Sequence, residues 1–421
     1  MAESLPNTLA GWLARCEHGH PTAIDMTLDR VQAVKARLGL VFEVPVIVVG
    51  GTNGKGSTCA MLEAIALAAG WRVGVYSKPH LVHFEERCRV GGAPVDAEAL
   101  LPHFEAVEAA RGPTTLTYFE HTTLAVMRLL SRQPLDLVVL EVGLGGRCDA
   151  VNVVDADCSV ITTIDLDHTE YLGPTREAIA FEKAGIWRRG RPAVLGDTAP
   201  PPAMFDWARE RGVDLRAAGQ AFRVERGETD TWSFITPQRR LDGLPRPALP
   251  GDHQTGNAAA ALAALDAVMG LPLLPAIVRA LETVQLSGRF QTWAPDPRVV
   301  LDVAHNRQAV QALAATLRPR LGGRRALAVF GCMADKDLGA LEALVPLVRR
   351  WHLASLSTPR AASPAVLRTL LEGLGAEFAA AWPSPSAALA AARAEAEADD
   401  CIVVFGSFWT VGGVLAPATQ A

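Results

Sequence analysis

The sequence predicts an α/β protein made of two successive units, each a parallel sheet covered by helices. Three observations carry this. Short runs rich in Val, Ile and Leu alternate with longer helical patterns, as strands buried on both faces do. A glycine-rich loop at residues 48–58 directly follows one such run and directly precedes a helix. The alternation then restarts near residue 298, after a stretch broken by prolines.

Taken in order, the first unit has predicted strands at 44–49, 73–76, 137–141, 159–164 and 193–195, with helices such as 57–69 and 175–184 between them. Several of these strands run into loops bearing Gly, Asp, His or Glu, where open α/β sheets bind ligands. Residues 200–251 are irregular, with PPP and scattered Pro and Gly, and carry a few β-like stretches such as 232–235, an excursion from the first unit. The apolar stretch 258–278 contains Asp266, Gly270, Pro272 and Pro275, so it reads as a helix, a turn and a second helix rather than a membrane span. The second unit has predicted strands at 299–302, 326–330, 352–356 and 401–405, spaced by helices around 306–319, 337–350, 364–374 and 384–398. The expected domains are therefore 1–291 and 298–421, joined by a linker at 292–297, TWAPDP.

Composition narrows the function. At 49% hydrophobic and 20% charged residues the chain is neither disordered nor fibrous. A net charge of −5 supplies no basic field for a nucleic-acid backbone, so small-molecule ligands are expected, with no nucleic acid and no membrane. Seven cysteines without a C-x-x-C pair argue against a disulfide framework or zinc cluster and fit a reducing cytoplasm. The first residues, with Glu3 and no uninterrupted apolar run, do not read as a secretory signal. Sustained heptads are absent, which leaves a monomer as the default expectation.

The loop reads Gly-Gly-Thr-Asn-Gly-Lys-Gly-Ser at 50–57. Between a strand and a helix, successive N–H groups and the helix start surround an anion, and Lys55 adds a point charge for phosphates. The common pattern G-x-x-x-x-G-K-[ST] is not met, because Val49 stands five residues before Gly54 and Gly56 separates Lys55 from Ser57. Strand, lysine and hydroxyl together favour nucleotide binding over a simple chain reversal. Glu141 closes an apolar strand before Gly143, Gly145 and Gly146, where a carboxylate either holds Mg²⁺ beside phosphates or caps the next helix. His168, between Asp165 and Asp167, reads as a structural histidine or as a metal ligand; Lys183 reads as a solvated helix lysine. The aromatic pair in Thr117-Tyr118-Phe119-Glu120 either packs in the core or stacks a flat ring. Asn257 opens the alanine-rich helix and by itself reads as its N-cap.

The GTNGKGS loop resembles that of the Mur-ligase superfamily. Eight further blocks, from about residue 10 to 412, resemble the bacterial dihydrofolate synthase/folylpolyglutamate synthase family: HPTAIDMTLDRV, KPHLVHFEER, LTYFEHTTL, LEVGLGGRCDAVN, DHTEYLGPTREAIAFEKAGI, SGRFQ, LDVAHN and FGSFWTVGG. The resemblance implies a Mur-ligase-like P-loop ATPase domain followed by a smaller, Rossmann-like glutamate-ligase domain. It implies ATP-dependent addition of L-glutamate to dihydropteroate and to the γ-carboxyl of reduced folates, through an acyl phosphate, with ATP as co-substrate and Mg²⁺ as cofactor. A single-activity folylpolyglutamate synthase, a sibling ligase for a cell-wall precursor and a non-enzymatic nucleotide-binding module are the rivals.

Carried over residue by residue, the resemblance implies that Thr52, Asn53, Gly54, Lys55, Gly56 and Ser57 hold the phosphates, Asn257 the adenine and Arg289 the phosphates again, with Asp302 and neighbouring His305 reaching the nucleotide from the second domain. It implies metal ligation by Ser57, Glu141 and His168, catalytic roles for Lys55, His168 and Lys183, and carbamylation of Lys183. Ile24, Asp25, Thr117, Tyr118, Phe119, Glu120 and Asp149 are implied to line the dihydropteroate site, and Ser407 is a candidate for glutamate. Two departures stand out. Ala23 replaces a family threonine, and Lys78 replaces a serine whose hydroxyl is a magnesium ligand in the family. A protonated lysine cannot ligate a cation, so Ser77 or a water takes over, or Lys78 itself contacts phosphate.

Overall fold

The computed structural model describes residues 5–228 and 230–419; the outermost residues of the expected domain ranges, 1–4 and 420–421, lie outside them. The first unit is an eight-stranded sheet of β1 (Val46–Gly50), β2 (Val73–Tyr76), β3 (Cys88–Val90), β4 (Ala93–Pro94), β5 (Leu137–Glu141), β6 (Cys158–Ile161), β7 (Pro192–Leu195) and β8 (Asp214–Ala217). Its order is β4-β3-β2-β5-β1-β6-β7-β8, parallel from β2 to β8, with β3 and β4 antiparallel at one edge.

The two-residue alternation of a strand explains why the central runs are apolar throughout. Val46 and Val48 point into one core cluster with Trp12, Phe104 and Leu124, while Ile47 and Val49 point into another with Met61, Leu62 and Ala261. Each such side chain contributes roughly 1.5–3 kcal/mol on burial, and the buried polar exceptions in the central strands are Ser159 of β6 and Glu141 at the end of β5. The helices covering the two faces leave only the strand ends open.

Residues 200–251, expected as an excursion, contain the helix Ala203–Arg211, β8 and a three-stranded antiparallel sheet of β9 (Arg223–Arg226), β10 (Thr231–Ile235) and β11 (Arg240–Pro245). Trp232 and Phe234 of β10 pack into the cluster that holds the alanine-rich helix His253–Val268, whose small side chains let neighbours approach closely. That helix starts five residues before the predicted apolar stretch, which puts Asn257 inside it and excludes the N-cap reading.

The second sheet comprises β12 (Gln291–Thr292), β13 (Val299–Leu301), β14 (Ala326–Phe330), β15 (Val348–Ala354), β16 (Phe378–Trp382) and β17 (Ile402–Phe405), ordered β12-β13-β17-β14-β15-β16. All pairs are parallel except β12 with β13. Three expectations differ here. The stretch 292–297 is not a free linker but the turn of the β12–β13 hairpin: Trp293 N–H donates to Val299 O at 2.9 Å, and the Asp296 carboxylate holds Arg298 and Arg393 at 2.9 Å each. The predicted helix 337–350 is two 3₁₀ segments, Leu338–Ala343 and Val345–Leu347, because Pro346 stops helical propagation, and β15 starts already at Val348. Finally, β16 was not expected; its sequence FAAAW lies at a half-exposed edge and has no strong apolar run.

Candidate active site

The phosphate loop is pinned from below. Gly51 has φ +139°, and a Cβ there would stand 1.9 Å from Thr162 Oγ1, so only glycine lets β1 turn over β6 at this point. Thr52 N–H donates to Thr163 O at 2.7 Å, and Asn53 N–H donates to Thr163 Oγ1 at 3.1 Å. At Gly54, φ +86°, a Cβ would meet Asn257 Oδ1 at 2.6 Å, which brings Asn257 against the loop. Lys55 Nζ donates to the carbonyls of Gly51 and Thr52, both at 2.9 Å. Burial lowers its pKa, against the charges of Glu141 and Asp167. Ser57 lies buried in the first turn of the following helix.

Residues from the second sheet meet this loop. Asn53 Nδ2 donates to Asn306 Oδ1 at 3.1 Å and to Gln308 Oε1 at 2.7 Å, and Asn306 Nδ2 donates to Asp167 Oδ2 at 3.0 Å. Lys336 Nζ donates to Asp167 Oδ1 at 2.7 Å and lies 3.4 Å from His168 Nε2. His305 Nε2 stands 3.8 Å from Asp167 Oδ2. Burial pulls His168 down to about 4, so its ring is neutral and an acceptor at neutral pH. Asp302 accepts from Phe290 N–H and Ala304 N–H at 2.8 Å each, which ties the segment before β12 to the loop after β13; burial raises its carboxyl, with Arg289 opposing. Arg289 itself lies 5.2 Å from the Phe408 ring. Sequence reasoning missed Asn306, Gln308 and Lys336, and read Asp167 only as a flank of His168; no local pattern marks partners so far apart in the chain.

Glu141, at the end of β5, is buried and accepts from Lys78 N–H through Oε2 at 3.0 Å. Burial raises its pKa, with Lys55 and Lys78 opposing. The other oxygen, Oε1, faces the loop, 4.0 Å from where a Cβ on Gly56 would stand. Lys183 is not solvated: it is 4% exposed, and burial together with the Lys55 charge lowers it to about 7. On the acceptor side, Asp149 Oδ2 accepts from Gly143 N–H and Leu144 N–H at 2.8 and 2.9 Å, shaping the glycine turn after β5. Thr117 and Glu120 form a reciprocal cap on the helix Tyr118–Leu130, and Glu120 also accepts from Arg30 Nη2 at 2.7 Å. Arg30 reaches Asp25 too, at 2.8 Å, so the carboxylates of Asp25 and Glu120 are engaged in holding the wall. Phe119 and half-exposed Ile24 present apolar surface.

One cavity of about 1360 Å³ is lined by every site residue that the resemblance implies, Ser407 included, and by Lys78; Ser77 is not among its lining residues. That exceeds the ~1,000 Å³ upper range of single-ligand pockets, so there is room for two ligands meeting between the sheets.

The family models for the Mur ligase middle domain and the Mur ligase glutamate ligase domain match residues 49–265 and 288–408. The dihydrofolate synthase/folylpolyglutamate synthase of Escherichia coli K12 is 44% identical over 97% of this chain and 94% of its own. The chain belongs to the dihydrofolate synthase/folylpolyglutamate synthase family of Mur ligases. E. coli FolC in complex with DHPP and ADP superposes with a TM-score of 0.93 at 43% identity, covering 100% of both chains. A bifunctional folylpolyglutamate synthase/dihydrofolate synthase with Mn, AMPPNP and L-glutamate bound has a TM-score of 0.90 at 39% identity, again covering 100% of both.

The donors present fit a divalent cation of this ligase family held jointly with phosphate. Glu141 offers one carboxylate oxygen toward the loop and Ser57 a hydroxyl at its helix start. Among the described residues no group of three His, Cys, Asp or Glu side chains forms a closed metal cage. Such a site suits a hard cation that keeps waters and phosphate oxygens as its other ligands.

Proposed function

We propose that this protein is an ATP-dependent ligase that adds L-glutamate to dihydropteroate and to the γ-carboxyl of folate glutamate tails, with Mg²⁺ as its metal. The observation that carries the reading is the single cavity in which the phosphate loop, the Phe119–Asp149 wall and the Asp302–His305 segment of the second sheet meet. A carboxylate oxygen of the acceptor attacks the γ-phosphorus of ATP, ADP leaves and an acyl phosphate forms. The amine of L-glutamate then attacks the acyl carbon, the bond to phosphate breaks, and the nitrogen gives up its proton as inorganic phosphate departs.

Two anions must approach in the first step, so charge placement decides the rate. Lys55, Arg289 and the loop N–H groups take the phosphates, with Asn257 beside the loop for the base. Glu141, Ser57 and His168 would hold Mg²⁺, which when bound would supply charge neutralisation between phosphate and carboxylate. The neutral amine of Lys183 is suited to react with CO₂, giving a carbamate and a proton, and the new carboxylate would add to the acidic side of the site. Closure of the second sheet's loops onto Asn53 and Asp167 excludes water from the acyl phosphate. A cytoplasmic setting belongs to the proposal; seven free thiols support it.

The test is ADP release with ATP, Mg²⁺ and glutamate, comparing dihydropteroate, a reduced folate monoglutamate and a UDP-sugar peptide. Turnover with the first two is expected. Turnover with the peptide alone would overturn the reading, and turnover with the folate alone would remove the dihydropteroate activity.

A further inference from the structure

Lys78 follows β2 at the mouth of the sheet, and its position is fixed at the root by the 3.0 Å bond from its own N–H to Glu141 Oε2. The side chain turns inward and is 6% exposed. Its Nζ lies 4.1 Å from the centroid of Phe119 and 4.5 Å from that of Tyr76, so two ring faces hold the cation. Rings attract an ammonium but do not accept its hydrogen bonds as oxygens do. The nearest anion, Asp149 Oδ1, is at 3.7 Å, an ionic separation too long for a hydrogen bond. Asp149 is moreover committed to the N–H groups of Gly143, Leu144 and Val151. Lys78 Nζ therefore has no hydrogen-bond acceptor among the described residues, although it is buried and lines the cavity. Leaving such a group unsatisfied is costly, and an anionic oxygen entering from the cavity relieves the cost.

We propose that the Lys78 ammonium binds the reacting carboxylate of the acceptor and turns it toward the phosphate loop, a role that rests on the ligase reading above. On that reading the nucleotide phosphates take Lys55, Arg289 and the loop N–H groups, all of which line the cavity. Lys78 stands instead between the Phe119 wall, where the acceptor's ring body would lie, and Glu141, where the phosphates begin. A protonated lysine cannot ligate a metal, but it supplies positive charge directly at the point where one anion must approach another. Here the fixed cation is part of the chain.

The test separates charge recognition from packing. Dissociation constants of dihydropteroate and its methyl ester are measured by calorimetry on ADP-saturated protein, without turnover, for the native chain, Lys78→Met, Lys78→Gln and Lys78→Arg. The native protein should prefer the acid by roughly 30-fold, the size expected for a charge-assisted hydrogen bond. Lys78→Met and Lys78→Gln should bind acid and ester alike, and Lys78→Arg should keep part of the preference. Unchanged ADP affinity reports that each variant is folded, and Lys78→Gln retains a buried donor should the Met variant fail to fold. An acid-to-ester ratio unaltered by Lys78→Gln, or an equal loss for both ligands, overturns the role while leaving the ligase intact. A native protein that binds neither ligand overturns the role and the ligase reading together.

Discussion

Lys336 Nζ, on a loop of the second sheet, donates to Asp167 Oδ1 at 2.7 Å, on a loop of the first, and so clasps the two sheets over the cavity. Burial alone would raise the Asp167 carboxyl; the Lys336 ammonium, with His168 and His305, overrides it and holds the group well below the usual carboxylate range. Both side chains are largely buried, at 7% and 12% exposure, so the pair is little screened.

Removing one partner leaves a buried charge without its counter-ion, at a cost of ~2 kcal/mol or more. Each sheet keeps its own apolar core, so the expected damage is to closure rather than folding. Lys336→Ala should lower kcat/KM for ATP about 30-fold, with a melting temperature near that of the native protein. Asp167→Asn should act similarly, and the double variant should be no worse than either single one. Additive losses in steady-state kinetics would show that the pair does not act as a unit.

Lys183 leads to a chemical prediction. Because burial and Lys55 bring its pKa to about 7, the neutral amine becomes the major form as pH rises through that value. Carbon-13 NMR in labelled bicarbonate should show a carbamate carbon that grows between about pH 6 and 8 and is missing in Lys183→Arg. A signal that survives the substitution would assign the carbamate elsewhere. Thorough removal of CO₂ should lower turnover of the native enzyme and leave Lys183→Arg unchanged at its lower rate.

Gly51 offers a steric test. With φ +139° and Thr162 Oγ1 only 1.9 Å from the place of a Cβ, Gly51→Ala must displace β6 or the loop. Nucleotide affinity should fall at least 10-fold, by calorimetry with ADP, because the loop N–H groups lose their common focus. Thr162→Ala on the same background should restore part of the loss by removing the hydroxyl. Affinity equal to native for Gly51→Ala would mean that the loop tolerates the shift.

What the sequence revealed divides along physical lines. Glu141 and Asp302 were legible because they stand at or just after the end of an apolar strand, and Lys55 because it opens the helix after a glycine-rich loop that follows one, all contiguous in the chain. The burial of Lys183 was not legible, since its helix also carries Glu177 and Glu182 and only tertiary packing turns that face inward. The clasp of Asp167 with Lys336 links loops from different sheets and leaves no periodicity to read. At 337–350 an apparently helical composition gave way to Pro346, and at 378–382 alanines at a sheet edge carried too little β signal to register.

The last prediction concerns stability away from the cavity. Glu108, on the helix Ala97–Arg111, accepts from Arg111 at 2.6 and 2.7 Å and from Arg15 of the first helix at 2.9 Å. Hydrogen bonds from Arg111, against burial and helped by Arg15, hold its carboxyl down at about 2. A folded-state pKa below the unfolded value of ~4.3 means stabilisation that is complete above that value and lost as pH falls through the folded one. The window is therefore about pH 4.3 to 2, and after discounting for solvent screening the contribution is roughly 1–2 kcal/mol. Glu108→Gln cannot titrate and keeps the shape. Unfolding free energies from denaturant titration of the native protein and Glu108→Gln should differ by that amount at pH 6 and converge as pH approaches 2, with the native protein losing the advantage. A difference that stays constant from pH 6 to 2 would assign the effect of the substitution to packing rather than to charge.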